Sequence, residues 1–336
     1  MSTDASAAGA ALHAPFEAYV TAALFDGRGR AAFALGDGSV RFETGEVIAA
    51  HDGAVLCAVA HPGGEGVVTG GDDGRLVWSR PSGAVALGEI KGRWIDAVAA
   101  SPASGLIAFA AGRQVQVRDA ADPAFERAFE HEKSAAGLAF DPKGRRLAVA
   151  TYGGVALWYA RIADQAPTRL NWAGSHIGVA FSPDGRFVMS SMQENQLHGW
   201  RLSDAKDLRM GGYPAKVRSL AFLAKGLMMA TSGAPGVVVW PFGGANGPMG
   251  KEAAEIGYDQ DSLVARVAAT PEGTVIAAGL DDGRIWACDL TERALRTLKA
   301  EKGPPITALA ISPDGARLAW GDEEGGAGLV GLQDVS

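Results

Sequence analysis

Cysteine is scarce: Cys57 and Cys288 are the only two in 336 residues, so neither a disulfide framework nor a four-cysteine metal site can be built. A basic excess is lacking as well. The 31 Lys and Arg are outnumbered by 38 Asp and Glu, and the net charge of −7 disfavours a general nucleic-acid binder, which needs a positive footprint. No apolar run reaches the roughly 18 residues of a membrane span. The first dozen residues hold neither a basic start nor a leucine-rich stretch, so they read as a lead-in and not a signal peptide. Residues 1–11 are expected to be a flexible lead-in and residues 12–336 a single folded unit, with the cytoplasm as the simplest location. Helix signals are nearly missing, because Gly or Pro interrupts almost every window of helical length. Hydrophobic residues make up 47% and charged residues 21%, close to globular usage, which excludes a disordered polypeptide.

Glycine is abundant instead. The 46 glycines stand beside Asp, Pro and Ser along the whole sequence, which signals many turns and short strands. One phrase recurs. It reads Phe140-Asp141-Pro142-Lys143-Gly144, Phe181-Ser182-Pro183-Asp184-Gly185, Thr270-Pro271-Glu272-Gly273 and Ile311-Ser312-Pro313-Asp314-Gly315. Looser copies surround Pro62, Pro102 and Ala224, and the weakest lies at Asp26. Aligned on these positions, successive steps are 36, 40, 40, 41, 41, 47 and 42 residues, a period near 41 held throughout. Within each period an apolar strand precedes the Pro-Gly turn and a second strand follows it. A tight Gly/Asp turn such as Asp72-Asp73-Gly74 then leads into a third strand, often ending in tryptophan (Trp78, Trp158, Trp200, Trp240). A weaker fourth strand fits the remaining residues. Four strands in roughly 40–45 residues is the signature of a β-propeller, in which each small sheet buries its faces against its neighbours.

The second unit resembles the WD-repeat (WD40) propellers. His51-Asp52-Gly53-Ala54-Val55 is similar to the family's Gly-His segment, with Ala50 in place of the glycine. Asp72-Asp73-Gly74-Arg75-Leu76-Val77-Trp78 is similar to its Asp-Gly-to-Trp strand. The resemblance implies a buried hydrogen-bond network of His51, Thr69, Asp73 and Trp78. The departures are specific. No third strand ends in Trp-Asp, and Trp78 lies five residues after Asp73, Trp286 four after Asp282, and Trp200 six after Glu194. Most units lack the His, although His131 stands at the same offset from Pro142 as His51 from Pro62. The units therefore resemble degenerate, bacterial-type WD40 repeats. Eight strand triplets can be read, and the expected fold is all-β, a single closed propeller of eight four-stranded blades, with seven as the alternative. Residues 12–16 are expected to supply the last unit's missing fourth strand.

Catalytic constellations are weak. There is no Gly-x-Ser-x-Gly elbow, phosphate-loop Gly-Lys-Ser/Thr or His-Glu-x-x-His, and the six histidines lack metal-ligand spacing. No catalytic residue, metal ligand or cofactor is assigned. Cys57 and Cys288 read as small buried residues. Asp72-Asp73 and Asp281-Asp282 could bind a cation, but they fit better as side chains accepting backbone bonds in β-turns. The surface carries the remaining signal. Loops that lead into the first strands, together with second-to-third-strand turns, are acidic in units seven, eight, one and two: Asp281, Asp282, Asp322, Glu323, Glu324, Asp37, Asp72 and Asp73. Units three to six carry Lys91, Arg93, Trp94, His131, Lys133, Trp172, Tyr213 and Lys216. Arg93, Trp94, Lys133, Trp172 and Tyr213 are the candidate partner-binding residues, since Trp, Tyr and Arg dominate protein interfaces. The stretch 242–259, rich in Gly, Asn and Pro, reads as a mobile excursion. The resemblance implies a non-enzymatic scaffold for a protein or peptide partner. The rivals are a ligand- or metal-responsive sensor and an enzyme using the propeller mouth.

Overall fold

The computed structural model describes residues 15–332. It is built from antiparallel strands, and one 3-10 turn, Ala224–Gly226, is the only helical element among the described residues. Repeat two shows the pattern: Val55–Ala60, Val67–Gly71, Arg75–Arg80 and Gly83–Glu89 lie side by side in sequence order. The second strand of each unit is the most apolar because it is covered on both faces. Val67–Gly71, Leu106–Ala111 and Phe187–Met192 are buried at every position, which is why they read as continuous apolar runs rather than alternating ones. Fully burying side chains such as Phe109 or Leu106 stabilises by about 1.5–3 kcal/mol each. The outer strand Gly83–Glu89 stays largely in water.

Local chemistry makes the turns. The Ser182 hydroxyl donates to Asp184 (2.7 Å) and accepts the Phe187 amide (3.0 Å). The Gly185 amide returns to the Ser182 carbonyl (2.8 Å) with φ at +69°, a conformation glycine adopts without the Cβ penalty. Buried Asp26 does the same work in repeat one, accepting the Arg28 and Arg30 amides and the Arg30 guanidinium (2.7 Å).

Hydrogen bonding joins the strands into seven sheets, the count of the seven-blade alternative and not the eight expected first. Five sheets hold four strands, one holds three and one holds six. The six-stranded sheet arises because repeats four and five run together through two strands of 14 residues each, Arg146–Tyr159 and Thr168–Phe181. The first folds back at Gly153-Gly154, both at positive φ, and brings the Ala160 amide 2.9 Å from the Arg145 carbonyl. The second continues from the outer edge of repeat four into the inner strand of repeat five. All eight strand triplets read from the sequence are therefore present, with two of them sharing a sheet.

The ring is closed. Val20, Ala23, Phe25, Phe33 and Leu35 of repeat one pack with Ala308 and Ala319 of the last repeat. The Thr307 hydroxyl donates to the Val20 carbonyl (2.7 Å), and Arg317 pairs with Glu43 (2.7 Å). Of the segment expected to complete the last unit, residues 12–14 lie outside the described residues, as does the lead-in 1–11. The Phe16 amide donates to the Gly325 carbonyl (2.8 Å), the same relation that the Ile90 amide has to Gly74 (2.8 Å) beyond the fourth strand of repeat two.

The start of the 242–259 stretch is docked on repeat five rather than free, and Ala254–Ile256 pairs as the fourth strand of repeat six. Phe242 is buried against Phe187 and Phe222. Arg201 donates to Asn246 Oδ1 (2.6 Å), and Arg186 to the Gly244 carbonyl (2.9 Å). Two arginines and an aromatic contact offset the freedom that its Gly-rich composition suggested.

Candidate interaction surface

Inter-repeat loops are tied to neighbouring second-to-third-strand turns in repeats two, three and six. The Ile95 amide donates to Gly71 (3.0 Å), that of Ala135 to Gly112 (2.8 Å), and that of Val264 to Ala234 (2.9 Å). In repeat two His51 adds a side-chain tie. Its Nδ1 lies 3.0 Å from Asp73 Oδ1 and its Nε2 lies 2.8 Å from Thr69 Oγ1. Asp73 also accepts the Arg75 amide (3.0 Å), the Arg75 guanidinium (2.8 Å) and the Asp52 amide (3.1 Å). Burial opposes its charge, but these donors hold the carboxyl far below the usual carboxylate range.

Trp78 does not join this network, contrary to the sequence expectation. Its indole N–H donates to the Glu65 carbonyl (2.8 Å), its ring stacks on His61 with centroids 4.1 Å apart, and Arg80 lies over it at 4.3 Å. The reason is register. Val77 is the residue opposite Thr69, so a tryptophan one position later projects from the other face of the strand. Trp200, six residues after Glu194, is buried.

The other repeats vary the theme. In repeat six Trp240 Nε1 donates to the Tyr213 hydroxyl (2.7 Å), which lies 2.7 Å from Thr231 Oγ1, which in turn donates to the Val238 carbonyl (3.1 Å). Tyr213 is buried, and burial pushes its phenol up to about 12. It is therefore a structural tie and not an exposed partner contact, as it was expected to be. The sequence held the signal: Tyr213 stands eleven residues before Ala224, as His51 stands eleven before Pro62 and His131 eleven before Pro142. Trp172 has the same offset from Pro183. It is half-buried, stacked on His198 (4.1 Å) with Arg209 above it (4.1 Å), while His176 takes up the hydroxyl of Ser190 (2.7 Å). In repeat four His131 Nε2 and Trp158 Nε1 are both buried without a hydrogen-bond partner among the described residues.

Arg93, Trp94 and Lys133 are the candidate residues left open to solvent. Trp94 is 65% exposed, and neither Arg93 nor Lys133 makes an ion pair among the described residues. Lys133 lines a cavity of about 300 Å³ with Glu132, Tyr152 and Arg169. A larger cavity, about 510 Å³, lies where loops of repeats six to eight converge on Tyr19, and Lys216, Arg218, Arg266, Asp281 and Glu323 share its wall.

The acidic turns are largely committed. Asp281 accepts the Leu263 amide (2.8 Å), Asp282 pairs with Arg284 (2.7 Å) and Lys302 (3.2 Å), and buried Asp322 accepts the Glu324 and Gly326 amides. No three His, Cys, Asp or Glu side chains meet to hold a metal ion among the described residues. Cys288 is buried and Cys57 half-buried, and burial pushes the Cys57 thiol up to about 12.

Comparison with known proteins agrees with this geometry. Residues 43–78 match the family model "WD domain, G-beta repeat". WD repeat-containing protein 55 of Rattus norvegicus is 21% identical over 202 residues, which cover 58% of this chain and 51% of that protein, so the match spans about half of the relative's length. A crystal structure of the computationally designed Ika8 protein superposes with a TM-score of 0.75 at 19% identity, covering 95% of this chain and 98% of that one. The RRP9 WD40 repeats superpose with a TM-score of 0.61 at 16% identity, covering 82% and 94%. These structural likenesses speak to the fold, and the repeat-two match adds the sequence. The chain is an all-β propeller, and its second repeat is similar to the WD40 family.

Proposed function

We propose that this propeller is a non-enzymatic scaffold of the cytoplasm that binds a protein or peptide partner on its inter-repeat loop face. The observation that carries the reading is Trp94. A large aromatic ring stands 65% exposed on a short loop whose next residue, Ile95, is fully buried and pinned to Gly71. Holding such a ring in water forgoes the gain of burying it, and a rigid, exposed Trp beside Arg93 is the composition of an interface anchor. Lys133 continues the open cationic surface of the neighbouring loop. Trp172 contributes an edge of its stacked ring and Arg209. The resemblance of repeat two to the WD40 family implies a protein-interaction module, which supports the same reading.

The test is affinity capture from native extract with two baits, the wild type and the Arg93→Ala/Trp94→Ala double variant. Specific proteins retained by the first and lost by the second, with both baits giving the same circular dichroism spectrum, are the expected result. Identical retention by both would move the binding surface elsewhere.

A further inference from the structure

The 510 Å³ cavity contains a cation, Arg266, without a counter-ion among the described residues. Arg266 lies on Val264–Ala269, the first strand of repeat seven, at the residue where the register skips. Five other repeats skip at the same point, and there they carry Ala22, Cys57, Gly137, Gly178 and Ala308. Small residues at five of six equivalent positions show that the fold does not need a long side chain there. Arg266 Nε donates to the Thr307 carbonyl (2.7 Å) and Nη1 to the Ala265 carbonyl (3.0 Å), which fixes the guanidinium plane. No carboxylate lies within ion-pair distance of it among the described residues, and the same holds for Lys216 and Arg218 in the same cavity. Burial pushes the Arg266 guanidinium down from its ordinary value, partly offset by the Tyr19 phenol, and Arg218 adds to the push. A half-buried cation with two further cations beside it lacks the pairing that normally accompanies such a charge.

We propose that this cavity binds a carboxylate carried by a peptide, held by the free edge of the Arg266 guanidinium and neutralised by Arg218 and Lys216. The proposal rests on the reading that this face takes a protein partner. A carboxylate suits the site better than a phosphate for two reasons. Two guanidinium nitrogens are already engaged by backbone carbonyls, which limits the fork that a phosphate would use. Asp281 and Glu323 share the cavity wall and repel a dianion more than a monoanion. The carboxylate can come from an acidic side group or from the carboxyl terminus of a peptide, and both present the same group.

Calorimetric titration of the intact protein separates these sources. The probes are acetyl-Gly-Gly-Glu-Gly-Gly-amide, acetyl-pentaglycine with a free carboxyl terminus, acetyl-Gly-Gly-Gln-Gly-Gly-amide and inorganic phosphate. At least one carboxylate peptide is expected to bind at least ten-fold more tightly than the glutamine peptide and than phosphate. Arg266→Gln should abolish that preference. Because Arg266 also bonds to Thr307 of the next repeat, Arg218→Gln is the second variant. Arg218 is exposed, and its replacement should weaken carboxylate binding several-fold with an unchanged melting temperature. No preference for carboxylate in the wild type, a preference for phosphate, or full binding by folded Arg218→Gln would overturn the proposal. If capture of a native partner is lost with Arg93→Ala/Trp94→Ala but kept with Arg218→Gln, the scaffold reading stands and the carboxylate site falls.

Discussion

Trp78 lies flat on His61, centroids 4.1 Å apart, while the hydroxyl meeting His51 is that of Thr69, 2.8 Å away. The tie between loop and turn in repeat two therefore depends on Thr69 and not on the tryptophan. Thr69→Val keeps the shape but leaves His51 Nε2 buried and unpaired, and should cost about 1–3 kcal/mol. Trp78→Phe retains most of the stack and loses the bond to Glu65, about 1 kcal/mol. Urea unfolding of both variants measures the order. Trp78→Ala should cost less than the roughly 3–5 kcal/mol of a fully buried aromatic, because the ring is only half covered.

Repeat four contains a gap in the same network. Val149 pairs with Leu138 just past the bulge, as Thr69 pairs with Ala58, and so stands where the hydroxyl should be. His131 Nε2 and Trp158 Nε1 are left buried and unsatisfied. Val149→Thr supplies an oxygen at nearly constant volume. It is expected to raise stability by about 1 kcal/mol, read as a higher urea midpoint at unchanged slope. A lower midpoint would show that the hydroxyl cannot reach either ring.

Acid should weaken the fold before the carboxylates titrate. Burial pushes the His198 imidazole down from its ordinary value near 6.5 to about 4, and lowers His61, His131 and His176 as well. The unfolded state binds these protons first. The stability is therefore complete above about pH 6.5 and is lost as pH falls toward about 4, where His198 charges in the folded state. For His198 alone the loss is about 3 kcal/mol, at roughly 1.4 kcal/mol per pKa unit. Replacing His198 by Phe should flatten the melting temperature between pH 6.5 and 4.5, within the window set by His198. Asp73, held below its ordinary value, adds its own loss at lower pH.

Charges on the far side of the face should act on rate. Glu323 and Glu324 are exposed, whereas Asp322 is buried in its turn and is not free to steer a partner. Glu324→Gln, outside the cavity that Glu323 lines, is expected to change the association rate and its salt dependence while leaving the dissociation rate nearly constant, measured by surface binding at two ionic strengths.

The fold was legible because its punctuation is local. Ser182-Pro183-Asp184-Gly185 specifies its own turn through one hydroxyl, one carboxylate and one positive-φ glycine, and four close copies of the phrase with four looser ones mark the repeats. The merging of repeats four and five was not legible, since it depends on how far the hydrogen bonding of Thr168–Phe181 continues and not on any residue type. In the candidate site, Arg93, Trp94 and Lys133 are open as their loop positions suggested. Tyr213 misled because a tyrosine that replaces a histidine inside a buried network looks, by composition alone, like an interface residue. Arg266 went unread because its strand is apolar around it, and only the register reveals that its equivalents are small.

The most direct measurement of the central claim is the affinity of the captured partner for the wild type and for the Arg93→Ala/Trp94→Ala variant, by calorimetry with circular dichroism as the folding control. The account predicts a loss of about 2 kcal/mol or more, roughly thirty-fold in Kd. An unchanged Kd in a correctly folded double variant would contradict it.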